Sequence, residues 1–137
     1  MALPYRSRAA AVTAAAVFLT ALGSAAPASA AGYNGVCGSG YKVVNSADLP
    51  GGAGTVHLTY NGSTGKNCAV SIRASKGAAA PMDVQLALAS DPDSAVLDSG
   101  EFTSYAGPVY LKAKGACVTW SGIIGEQSAG KAGTNCG

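Results

Sequence analysis

His57 is the only imidazole in the chain, so a hydrolytic triad or a histidine-containing zinc centre would have to be built on it. A triad also needs a nucleophile held on a sharp strand-to-helix turn, and no Gly-x-Ser-x-Gly elbow accompanies His57. The segment Thr55-Val-His-Leu-Thr-Tyr60 alternates, which places Val56, Leu58 and Tyr60 on one face and His57 on the other, toward solvent. The acidic run offers a second chemistry. Asp91, Asp93, Asp98 and Glu101 could supply the paired carboxylates of a glycoside hydrolase. A general acid there needs burial to raise its pKa, whereas Ser90 to Gly100, rich in Ser, Asp and Pro, reads as a wet loop. The same oxygens could ligate calcium, but they lack the alternating Asp spacing with a distal Glu that a calcium loop uses. No catalytic residue, cofactor or metal ligand is assigned from these patterns.

The four cysteines are Cys37, Cys68, Cys117 and Cys136. A zinc site is disfavoured because no pair has the short C-x₂₋₄-C spacing. An even set in an exported domain reads as two disulfides, which leaves no thiol for nucleophilic catalysis. Four cysteines allow three pairings. Cys37–Cys68 and Cys117–Cys136 are favoured because each closes a local loop of ordinary length. Among the aromatics, Tyr105, Tyr110 and Trp120 are candidate surface contacts for a sugar or a partner, with Phe102 nearby. If Val109 and Leu111 face inward, Tyr110 faces out, while Trp120 is more simply a core filler beside a disulfide. Asn61-Gly-Ser63 formally fits an N-glycosylation triplet.

The elements that would position these groups are short and glycine-punctuated, as in an all-β domain. Strands are expected at Tyr41–Asn45, Thr55–Tyr60 and Asn67–Arg73. The last two form a hairpin around Asn61-Gly62, with a loop of five or six residues. Met82 to Ala89 alternates with Met82, Val84, Leu86 and Leu88 inward, and is expected to be a strand although its Ala and Leu content also suits a helix. Further strands are expected at Gly107–Ala113 and Ala116–Trp120, with a weaker one near Ile123-Ile124. The tail, Gly130 to Gly137, has too little apolar content to be ordered alone, and Cys136 is expected to pin it. The predicted fold class is all-β: a small antiparallel sandwich or barrel-like domain with two disulfides.

Ahead of this domain, residues 1–30 have the charged, apolar, small-residue order of a secretory signal. Arg6 and Arg8 precede the uncharged run Ala9 to Leu22, and Ala28-Ser-Ala30 offers small residues to a peptidase, so cleavage is expected between Ala30 and Ala31. As a helix rising ~1.5 Å per residue the apolar run reaches about 21 Å, short of the ~30 Å hydrocarbon core. No stable membrane anchor is therefore expected after cleavage. Loss of Arg6 and Arg8 takes nine basic residues to seven, against seven acidic ones. A neutral domain at 31–137 without a charge cluster is not expected to bind nucleic acid.

Four stretches together resemble the spore-associated protein A family of streptomycetes: Tyr33-Asn-Gly-Val-Cys-Gly-Ser-Gly-Tyr-Lys-Val-Val-Asn45, Thr64-Gly-Lys-Asn-Cys68, Phe102-Thr-Ser-Tyr-Ala-Gly-Pro-Val-Tyr110 and the ending Gly133-Thr-Asn-Cys-Gly137. The likeness runs the length of the domain and is weakest over Ser75 to Asp98. It implies a small secreted protein found with spores or aerial structures, partnered by spore or cell-wall surface components, and it brings no catalytic residues to carry over. The leading expectation is a non-enzymatic, exported, spore- or cell-surface-associated protein. A secreted binding module or protease inhibitor using Ser99 to Pro108 as its loop comes second, and a small Asp/Glu hydrolase third.

Overall fold

The computed structural model describes residues 31–137; the signal segment expected over residues 1–30 lies outside the described residues. Eight strands follow in order: β1 (Tyr41–Asp48), β2 (Gly54–Asn61), β3 (Lys66–Arg73), β4 (Ala80–Leu88), β5 (Asp91–Phe102), β6 (Tyr105–Lys112), β7 (Val118–Ile124) and β8 (Gln127–Thr134). They form two antiparallel four-stranded sheets, β1-β2-β3-β6 and β5-β4-β7-β8. The architecture is a sandwich, so each sheet keeps two edges.

The core lies between the sheets. Val56 and Leu58 of β2 and Ala69 of β3 meet Met82, Val84 and Leu86 of β4 and Val118, Trp120 and Ile124 of β7. Alternation puts these residues inward, and the β4 pattern that also allowed a helix resolves as strand. Trp120 is the largest fully buried side chain, 1% exposed, and its Nε1–H donates to Thr134 Oγ1 at 2.9 Å. Trp120 therefore cannot be a surface contact, and the core-filler reading holds. The sheets also approach closely at Gly122. There Ser71 Oγ of one sheet donates to Asp83 O of the other at 2.8 Å, and a Cβ on Gly122 would collide with Ser71 Oγ.

Several expectations are corrected. Asp91 to Phe102 is an edge strand, where an acidic loop was expected. Its pairing to β4 supplies order that its Pro, Ser and Asp content conceals, and charge on an edge strand discourages pairing with other chains. The tail is pinned by Cys136 as expected, and Gln127–Thr134 also pairs with β7, a strand not foreseen, so backbone hydrogen bonds supply what apolar side chains do not. Ser99 to Pro108 is not an exposed loop, because it holds the end of β5, the two-residue link Thr103-Ser104 and the start of β6. In the β2–β3 hairpin only Gly62 to Gly65 lie between the strands, and the left-handed residue is Gly65, at φ 70°. Asn61 shapes the turn through its side chain, whose Oδ1 accepts the N–H groups of Ser63 and Thr64. With that oxygen engaged and the residue 8% exposed, Asn61 is poorly placed to receive a glycan.

Both favoured disulfides are present, Cys37–Cys68 and Cys117–Cys136, with sequence separations of 31 and 19.

Candidate functional site

Residues on β2 and β3 that face away from the core are nonetheless buried. Register places Thr55, His57, Thr59 and Asn61 beside Ile72, Val70, Cys68 and Lys66 on the outer face of the first sheet. His57 is 6% exposed, and Thr55, Thr59, Cys68 and Val70 are at 0%. The cover is the segment 31–40, which carries no regular secondary structure yet is tied down along its length. Ala31 N–H donates to Thr55 Oγ1 at 3.0 Å, and Ala31 O accepts from His57 Nε2 at 2.7 Å. Tyr33 stacks obliquely on the His57 ring, with centroids 5.9 Å apart, and its hydroxyl accepts the Cys37 N–H at 3.1 Å. Cys37 is bonded to Cys68, and Cys37 O accepts from Tyr110 at 2.9 Å. Sequence reasoning placed His57 on the correct face but in solvent; what it missed is this N-terminal arm.

The geometry commits His57 to a structural bond. A carbonyl can only accept, so Nε2 carries the proton toward Ala31 O. Nδ1 is buried, with no hydrogen-bond partner among the described residues.

The carboxylates do not converge. Asp91 Oδ1 caps the N–H of Asp93 at the β4–β5 turn, Asp98 Oδ2 accepts Gly107 N–H at 2.7 Å, and Glu101 is exposed further along β5. Among the described residues, no group of three or more His, Cys, Asp or Glu side chains could hold a metal ion.

Among the described residues, two titratable groups are perturbed. Burial raises the Tyr110 hydroxyl above its ordinary value, and the neighbouring Tyr41 and Tyr33 push it further, so it keeps the proton it donates to Cys37 O. Tyr41 meets the Tyr110 ring edge-on at 5.6 Å. Tyr110 and Tyr105 remain 39% and 37% exposed, which leaves both candidate contacts accessible.

Asp83, on the outer face of central strand β4, has its carboxyl raised by desolvation against a smaller lowering by the Ile123 backbone N–H. A carboxyl whose folded pKa is raised opposes folding once it must ionise. Stability falls as pH climbs from the unfolded value through the folded one, and the deficit stays constant above that. Asp83→Asn is therefore expected to raise the melting temperature near pH 7, with the gain disappearing by about pH 3. Melts at the two pH values check this; an equal gain at both would contradict it.

A pocket of about 420 Å³ opens at one end of the sandwich. Val44, Tyr60, Asn67, Ala113, Lys114 and Asn135 line it, together with two glycines. Val44 is the extra residue where the β1–β2 register shifts between Val43 and Asn45. Asn67 is 2% exposed and donates from Nδ2 to Thr59 O at 3.0 Å, so it is a rigid floor group. Asn135 holds the wall by accepting from Asn45 Nδ2 at 3.1 Å, while Lys131 Nζ donates to Asn45 Oδ1 at 2.8 Å. Walls from Val44, the Tyr60 ring and Ala113, with amides and one ammonium, suit a small, largely apolar molecule carrying a polar or anionic head. No single segment announces this site, because its residues come from β1, β2, β3, the β6–β7 loop and the tail.

The fold and its sites define a small all-β sandwich, tied by two disulfides, with an arm over one sheet and a pocket at one end. The chain belongs to the spore-associated protein A family: it is 52% identical over 118 residues, 85% of its own length and 75% of the relative's, to Spore-associated protein A of Streptomyces coelicolor. No protein-family model matches the chain. No solved structure matches it.

Proposed function

We propose that this protein acts outside the cytoplasm, on the spore or cell surface, by binding and not by catalysis, and that the end pocket is its ligand site. The location rests on the spore-associated relative and on a fold closed by two disulfides, which form and persist in oxidising compartments. The pocket is the observation that carries the mode of action. It is of ligand size, apolar-walled and rigidly floored, whereas His57 and Asp98 are held in structural bonds. Spore or cell-wall components are the expected surface partners, with exposed Tyr105 and Tyr110 as contacts.

The ligand class is an aromatic or acyl body with an acidic head, the body against Tyr60 and the head toward Lys114. The aromatic sulfonate 8-anilinonaphthalene-1-sulfonate is a direct probe. Saturable binding of one equivalent is expected, weakened about tenfold or more by Tyr60→Ala and less by Lys114→Gln. Binding unchanged by both substitutions, or no saturable binding, would remove the pocket from the reading.

A further inference from the structure

We infer that the fold carries a receptor for a newly made N-terminus at Ala31. Thr55 Oγ1 accepts a hydrogen bond from Ala31 N at 3.0 Å and donates one to Asp48 Oδ1 at 2.9 Å. A hydroxyl has one proton to give, so the chain runs one way, from the Ala31 nitrogen through Thr55 to a carboxylate. Asp48 and Thr55 face each other across the β1–β2 ladder, which fixes the relay on two paired strands. The other end of Ala31 is held by His57 Nε2 at 2.7 Å. Thr55 is at 0% exposure, so the middle of the relay is buried, with part-buried Ala31 at one end and the exposed carboxylate of Asp48 at the other.

A peptide N–H uses this arrangement weakly, since it brings one proton and no charge. An α-ammonium brings three protons and a positive charge, and a relay ending in a carboxylate then becomes charge-assisted, roughly twice as strong as its neutral counterpart. The proposed event is hydrolysis of the Ala30–Ala31 peptide bond by a peptidase selecting small residues. Water breaks the C–N bond, leaving a carboxylate on Ala30 and an amine on Ala31 that is protonated at neutral pH. Processing would thus strengthen a hold already present on the first sheet's outer face: the Ala31 carbonyl caps His57 before cleavage, and the new ammonium fixes the start of the arm that leads to Cys37 more firmly.

The inference rests on the export reading, and the experiment separates the two. The full-length gene is expressed in a secreting actinobacterial host, and the exported protein is characterised by intact mass and by acetylation of its α-amine. The mass is expected to begin at Ala31, less four hydrogens for the two disulfides. The α-amine is expected to be acetylated about tenfold more slowly than in a peptide of the same first residues, the loss of free amine that a rise of one pKa unit produces. Asp48→Asn, at an exposed position, should restore peptide-like reactivity and lower the melting temperature of the exported protein. It should lower the melting temperature of a form acetylated at Ala31 by much less, because an amide N–H there uses the Thr55–Asp48 bond without the charge. Protein that stays in the cell with Met1 in place overturns the export reading and this inference with it. Exported protein that begins elsewhere, or an Ala31 amine as reactive as the peptide's, overturns this inference alone.

Discussion

Trp120→Ala is expected to lower the unfolding free energy by about 3–5 kcal/mol, the usual cost of emptying a buried aromatic site. The substitution opens a cavity between the sheets, among Leu86, Val118 and the rest of the core, and the surrounding strands can collapse only partly because both sheets are fixed by their ladders. It also strips Thr134 Oγ1 of the indole N–H it accepts. Trp120→Phe separates the two effects, keeping most of the volume while losing the hydrogen bond, for about 1 kcal/mol. Urea unfolding of the three proteins measures both. Thr134 ends β8 next to Asn135, which lines the pocket, so Trp120→Phe should also weaken binding of the aromatic sulfonate while the protein remains folded. A Trp120→Ala protein as stable as the parent would contradict the core described here.

The paired substitution Cys37→Ser with Cys68→Ser is expected to cost about 3–4 kcal/mol, the chain-entropy value for a loop of this length. Its local consequence is more diagnostic. Without the bridge the arm is held by single hydrogen bonds and the Tyr33–His57 contact, so the buried outer face of β2 and β3 should open. His57, 6% exposed, should then become modifiable by diethyl pyrocarbonate, whereas its burial should protect it in the intact protein. Removing Cys117–Cys136 should cost a similar amount, because its loop is only somewhat shorter. It should loosen the tail and the pocket wall and leave His57 protected. Equal exposure of His57 in both variants would mean the arm is not what covers it.

The central strands were legible because their residues do two jobs that sequence records. Val56, Leu58, Val84 and Leu86 alternate with polar residues, and period-two burial is what a strand between a core and an outer face must show. The disulfide pairing followed from loop length. The edge strands of the second sheet were not legible, although β1 and β6 at the edges of the first were expected. β5 carries Asp91, Pro92, Asp93 and Asp98, and β8 carries Gly130 and Gly133, residues that favour turns in isolation and accept strand geometry only because β4 and β7 supply a ladder. The His57 environment was half legible. Alternation gives the face, but burial depends on the arm's return, and nothing in Ala31 to Gly40 other than Cys37 signals where that segment lies. The pocket was not legible at all, since Val44, Tyr60, Asn67, Lys114 and Asn135 meet only after both sheets have assembled.

Place and mode together make the central claim: a surface-associated protein that binds. Place is the part on which the rest depends, and immunodetection in four fractions of a sporulating culture tests it most directly. The fractions are medium, washed spores, a detergent-free surface wash of those spores, and cytosol. The predicted result is recovery from the spore wash and the medium, as a disulfide-bonded species lacking residues 1–30. Recovery confined to the cytosol, with reduced cysteines and an intact N-terminus, would contradict it.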